Sequence, residues 1–296
     1  MGVGVRYLAI SCALMSALGS MPAARAAQEQ DERLIYVMQF GGLTVADVMI
    51  TLAETPAKYQ STIKLRARGL LARFASLNAD LAGEGKVVGD GLKVVPETYR
   101  RHWSTEKLSS QLSVSYDPVT RVAMSTERLF NPITGEAKSN DDAPWNRRKM
   151  AMKPVPEDKR TSVVDPMAAL IGVRQLIRGS SGQISFKMPI YDGSRRYDVV
   201  GTTEAPREVT INDQTHRVIT VKGRLDPVFG FDESLQDRVH AGDGKILLTA
   251  DERLLPVQIM IGNSLGVGVM NLVADCRRDP APCEAFGQET AQAVKN

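Results

Sequence analysis

Apolar and polar residues alternate through most of this chain. Leu34, Tyr36, Met38 and Phe40 share one parity, and Ile35, Val37 and Gln39 hold the other, the pattern of a well-buried strand that Gly41-Gly42 ends. Val48, Ile50 and Leu52 follow with the same period, and Tyr59, Ser61, Ile63 and Leu65 oppose Lys64 and Arg66. Such runs predict successive antiparallel strands with one face buried. Leu92, Val94 and Val95 precede Pro96, and Leu112 and Val114 lead through the turn signal Tyr116-Asp117-Pro118 to Val122 and Met124. Further on, Ile184, Phe186, Met188 and Ile190 alternate with Ser185 and Lys187, and Asp192-Gly193 is a hairpin turn returning through Tyr197 and Val199. Val209-Ile211, His216–Val221, Ile246–Thr249, Val257–Ile261 and Leu265–Val269 complete the strand series, with Gly266 and Gly268 placing a bend in the last.

The period changes once. Asp165 suits a helix N-cap and Pro166 its first turn; Met167, Leu170, Ile171, Val173 and Leu176 then recur at helical spacing, and Gly179 stops them. One amphipathic helix among strands must lay its apolar stripe on the sheet. Residues 131–164 show no period. Asn140-Asp141-Asp142 and Arg147-Arg148-Lys149 lie close together there, between prolines, as in a solvated loop excursion.

Charge and length bound the function. The 296 residues carry 37 Lys+Arg and 34 Asp+Glu, a formal net charge of +3. Residues 1–26 hold Arg6 and Arg25 and no acid, so the rest is nearly neutral, which argues against nucleic acid as a partner. Residues 1–26 also have the layout of a secretory signal peptide: Arg6, the apolar run Tyr7–Leu18, and the small-x-small site Ala24-Arg25-Ala26. That run is too short to span a bilayer, which disfavours an uncleaved anchor. Cys12 lies within the discarded core, which disfavours lipidation. The expectation is a periplasmic protein, exported and not transmembrane, with residues 27–296 forming one domain. In an oxidising compartment Cys276 and Cys283 most simply pair with each other and close the C-terminal tail. A metal or redox role fits them poorly, because six residues separate them and no histidine is near.

Candidate chemistry is sparse. Gly262-Asn263-Ser264-Leu265-Gly266 matches G-x-S-x-G, but all three histidines (His102, His216, His240) precede it, and a glycine-bent strand follows it rather than a helix. A hydrolase using Ser264 is therefore the weakest of the function classes. The histidines are too widely spaced for a metal site, Gly89-Asp90-Gly91 and Gly242-Asp243-Gly244 are turn sequences, and Asp226 and Asp251 stand in turn settings. Neither cofactor nor catalytic residue is expected, and the chain reads as a non-enzyme.

Five pieces occur in a telling order: Tyr36 with Gly41-Gly42, Val95-Pro96-x-x-Tyr99, Asp165–Leu170, Ile190-Tyr191-Asp192-Gly193 with Tyr197-Asp198-Val199, and Asp251–Val257. Across roughly 33–261 they resemble the exported bacterial family catalogued as domain of unknown function 3108; the spiral-sheet envelope-integrity proteins of alphaproteobacteria are the next most similar. The resemblance implies a curved antiparallel sheet around a helix, akin to the lipoprotein carriers LolA and LolB, and carries no catalytic residues.

The expected fold is therefore mostly β: a single strongly curved antiparallel sheet, an open barrel or half-barrel, with one helix packed on its concave face. Such a concavity must be filled by side chains, by the helix or by an apolar ligand. The expected lining is Tyr36, Met38, Phe40, Leu170, Ile171, Phe186, Met188 and Tyr197. The leading expectation is an envelope protein that binds a lipid, acyl chain or lipoprotein, or that supports envelope integrity; the alternative is a self-filled scaffold that binds an envelope protein partner.

Overall fold

The computed structural model describes residues 31–69, 72–73, 76–89, 93–139, 154–231, 243–263 and 266–286. The expected signal segment, Ser264 and His240 lie outside them. The strands are β1 (Glu32–Phe40), β2 (Leu43–Glu54), β3 (Lys58–Ala67), β4 (Asn78–Val88), β5 (Lys93–Ser104), β6 (Ser109–Tyr116), β7 (Ala123–Phe130), β8 (Ala137–Lys138), β9 (Ser185–Tyr191), β10 (Arg196–Thr203), β11 (Arg207–Ile211), β12 (Gln214–Phe229), β13 (Asp243–Thr249), β14 (Pro256–Asn263) and β15 (Gly266–Asp275). They form one antiparallel sheet in the order β8-β7-β6-β5-β4-β3-β2-β1-β15-β14-β13-β12-β10-β9, with β11 paired to β12. One pairing joins strands remote in sequence: β1 lies between its neighbour β2 and the last strand, β15.

The sheet curls until its ends nearly meet, but it does not close as a ladder. On β7, Ser125 Oγ lies 2.7 Å from Tyr191 Oη on β9. A strap, residues 160–164, spans the gap between these ends. Ala123 N donates to Arg160 O at 3.0 Å and Ser162 N to Arg121 O at 2.9 Å on one side. On the other, Val164 N donates to Pro189 O and Tyr191 N to Val164 O, both at 2.9 Å. Arg160 binds the strap to itself through Val155 O (2.8 Å) and also donates to Ala123 O. Val155 and Val163 are buried. The stretch 154–164 thus departs from the solvated-loop expectation: its backbone polar groups find partners on the free ends of the sheet, and its two valines join the core.

The chain passes from strap to helix without a break. Asp165 caps α1 (Pro166–Arg178), its Oδ1 accepting from Met167 N at 2.8 Å and Ala168 N at 2.9 Å; Gly179 ends the helix. The helix lies inside the curl, against β3, β4, β5 and β9, and is buried on most of its circumference. Its N-terminal turn comes so near β4 that a Cβ at Gly83 would stand 2.7 Å from Met167 Cβ. Its C-terminal half is clamped by Glu54 at the end of β2. Arg174 is 2% exposed and meets Glu54 Oε1 at 2.5 Å, Arg178 meets Oε2, and Gln175 Nε2 donates to Oε2 at 2.8 Å. Burial pulls the Arg174 guanidinium down to about 10, with Glu54 opposing that shift, so it stays charged at neutral pH.

A second charged network joins β1 to β15 and the segment that follows it. Arg253 bonds Glu32 on β1 and meets Asp275 Oδ2 on β15 at 2.7 Å, and Arg277 reaches Glu32 Oε1 at 2.7 Å. Burial would raise the Asp275 carboxyl, but its bonds from Arg253 and the Arg277 backbone outweigh that and hold it below the usual range. Cys276 and Cys283 form the disulfide, Cα to Cα 6.0 Å, that closes the tail.

Candidate apolar binding site

The inner face of the sheet meets the helix in three apolar clusters. Tyr36, Met38, Leu170 and Ile171 belong to one that joins β1, β2 and β3 to the helix. Phe186 and Met188 belong to another, with Val173, Ile177 and Leu248. Phe40 sits where β15 is reduced to glycine: its ring lies 3.2 Å from where a Gly266 Cβ would be, and Gly268 is its register partner. Tyr197 stands apart from these groups, edge-on to Phe231 at 6.2 Å between centroids. So of the eight residues expected to line the concavity, four pack together, two meet on the opposite flank, and two lie at separate places. Tyr36 is fully buried, and its hydroxyl donates to Pro256 O at 2.6 Å.

The helix fills the hollow at these positions, but a crevice remains where the sheet fails to close. It measures about 400 Å³ and is bounded by the start of β5, the strap, the helix and β9. Val94, Val163, Val164, Ala168, Leu176 and Met188 supply apolar wall, and Gly172 keeps the helix surface low. A Cβ at Gly172 would sit 3.1 Å from Met188 Cε. Lys93, Arg121 and Lys187 also border the space. Met188 is the one residue of the expected lining that reaches it. Periodicity could mark Val94 and Leu176 as buried, but Val163 and Val164 lie in an aperiodic stretch and only the strap's backbone bonds reveal their place.

The convex side carries a larger groove of about 970 Å³ between the β11–β12 hairpin, β15 and the tail. His216, Arg217, Asp251, Arg253 and Asp275 line it, and Arg253 and Asp275 already pair with each other. Asp251 makes the expected turn bonds, its Oδ1 accepting from Arg253 N at 3.1 Å and Leu254 N at 3.2 Å. Asp226, expected in a turn, instead lies within β12 and pairs with Arg224 at 2.8 Å.

The titratable groups do not converge on a reacting centre among the described residues. His102 bonds Ser109 Oγ at 3.0 Å and stacks on Phe130, whereas His216 is on β12 opposite Val209. On either side of Ser264, β14 and β15 pair antiparallel with Asn263 opposite Gly266, whereas the elbow of a hydrolase leads from a strand into a helix. The most perturbed carboxyl is Asp165, raised to about 6 because burial outweighs its two capping bonds. Burial also raises the hydroxyls of Tyr59, Tyr99, Tyr116 and Tyr197, and the nearby Asp165 charge adds to each. These tyrosines stay protonated at neutral pH, so the cluster is a cap with a polar surround. Among the described residues no helix is long and apolar enough to cross a membrane.

The chain is similar to a crystal structure of a beta-barrel-like protein of domain of unknown function DUF1849 from Brucella abortus, at 9% identity and a TM-score of 0.49, covering 83% of this chain and 96% of that one. No curated protein matches it. The family described as protein of unknown function (DUF3108) matches residues 35–273, from within β1 almost to the end of β15, and the chain belongs to that family.

Proposed function

We propose that this chain is a non-enzymatic exported envelope protein that holds an apolar chain beside its helix, with the helix itself a permanent part of the core. The observation that carries the reading is the crevice: about 400 Å³ of largely apolar space, left open at the point where the curved sheet stops short of closure. Its size falls within the range of small-ligand sites, and its walls are the kind such sites use. The reading of export rests on the signal-like residues 1–26 and the placement in the periplasm follows from it.

A second reading draws on a different observation. The helix is buried nearly all round, so the sheet is filled by its own chain for most of its length, as in a scaffold that binds an envelope protein partner. Native mass spectrometry of protein extracted gently from its own envelope separates the two. A copurifying lipid mass that disappears on delipidation supports the apolar-chain reading. A clean apo mass accompanied by a retained protein partner supports the scaffold and rejects the first.

A further inference from the structure

The crevice has a charged mouth as well as an apolar wall, and the combination narrows the ligand class; this step rests on the apolar-chain reading above. Lys93 and Lys187 are exposed and Arg121 half-buried, and all three border the space. Lys187 Nζ meets Asp198 Oδ2 at 2.9 Å, but Arg196 at 2.7 Å already balances that carboxylate. The mouth therefore carries excess positive charge.

We infer that the crevice takes a single acyl chain that ends in an anionic head group, the chain lying between helix and strap and the head among Lys93, Arg121 and Lys187. Space of about 400 Å³ holds roughly 13 groups of water size at about 30 Å³ each, which is one chain of a dozen or so methylenes and not two. An uncharged lipid would use the walls equally well but gain nothing at the mouth. Phosphate and carboxylate heads share the chemistry that the three cations recognise.

The test compares dodecyl phosphate, dodecanoate and dodecanol, below their aggregation concentrations, on delipidated protein by titration calorimetry. At low salt both anions bind about ten-fold tighter than the alcohol, and the gap narrows as salt rises. The double variant Lys93→Gln/Arg121→Asn brings the gap to roughly two-fold. Asparagine suits position 121, where φ is 61°, and Lys93 is exposed; an unchanged circular dichroism spectrum checks that the double variant is folded. Leu176→Trp, which fills the crevice, weakens all three probes in a protein whose circular dichroism is unchanged. Equal binding of anions and alcohol, or an anion preference that the double variant leaves intact, overturns the inference while the apolar-chain reading stands. Undiminished binding to folded Leu176→Trp overturns the placement of the site. Binding of none of the probes overturns both.

Discussion

Asp165 carries the most informative charge in the molecule. It is fully buried, it caps the helix, and its carboxyl sits at about 6 instead of 3.8. Because the folded value is the higher one, the folded protein binds a proton more readily than the unfolded chain between about pH 4 and 6. Stability from this residue is therefore greatest when it is protonated, falls as pH rises through that window, and levels off above it. The rise from 3.8 to about 6 corresponds to a cost of about 3 kcal/mol at neutral pH, at about 1.4 kcal/mol per pH unit. Asp165→Asn keeps an oxygen for Met167 N and Ala168 N and removes the charge, and asparagine is as good an N-cap as aspartate. Urea unfolding at several pH values should thus show the Asp165→Asn variant and its parent nearly equal near pH 4, with the variant ahead by up to about 3 kcal/mol above pH 7. The difference between the two proteins cancels the other titrating groups. Asp165→Ala, which loses the acceptor as well, should lie about 1–2 kcal/mol below Asp165→Asn at every pH. A difference between parent and Asp165→Asn that is flat from pH 4 to 8, or that opens in the opposite sense, would refute the reasoning.

Three further outcomes follow from the packing. Glu54→Ala leaves the Arg174 charge buried without its partner and should cost about 3–5 kcal/mol in urea unfolding; a loss below 1 kcal/mol would mean that the Arg253 carbonyl alone satisfies it. Replacing Cys276 and Cys283 by serine should lower stability by about 2–3 kcal/mol, and unreduced parent protein should titrate no thiol at these positions. Gly83→Ala forces a methyl against Met167 and should cost about 1–3 kcal/mol, whereas Gly182→Ala, with open space around it, should change the melting temperature little; equal effects would show that the β4–helix contact is looser than described.

The elements that sequence makes legible are those whose period and punctuation agree. The helix is the clearest, because Asp165-Pro166 and Gly179 bracket a run of apolar residues at helical spacing. The β9–β10 hairpin is nearly as clear: Gly193 has φ 94° and Asp192 Oδ1 takes the Ser194 and Arg195 backbone N–H groups. Strand β4 leaves almost no trace, since Ala79, Ala82, Gly83 and Gly85 are small; at Gly83 the helix, and at Gly85 Tyr59 and the β5 backbone, leave no room for a Cβ. The second half of β12 hides for another reason. Beyond Arg224 it has β10 on one side and, among the described residues, no partner on the other, so Asp226 and Pro227 can occupy a strand that pattern alone would end earlier. The crevice is illegible because it depends on pairing between segments far apart in sequence, Val122 with Thr161 and Val164 with Ile190.

The same geometry fixes which part of the crevice can yield. The end strands β7 and β9 approach each other without pairing as a ladder, so the seam between them is spanned by a single segment instead. Residues 160–164 do this with four backbone hydrogen bonds, two to each side. The helix that forms the opposite wall is held far more firmly, by its cap within β4's reach at one end and by the Glu54 contacts of Arg174, Gln175 and Arg178 at the other. Opening the crevice by moving the helix would expose Arg174 and the apolar residues around Ile171 together. Moving the strap breaks only a few bonds that water can replace, at a net of about 1 kcal/mol each, and uncovers little beyond Val163 and Val155. The strap is therefore the more weakly held wall of the crevice, and the helix the more firmly held one.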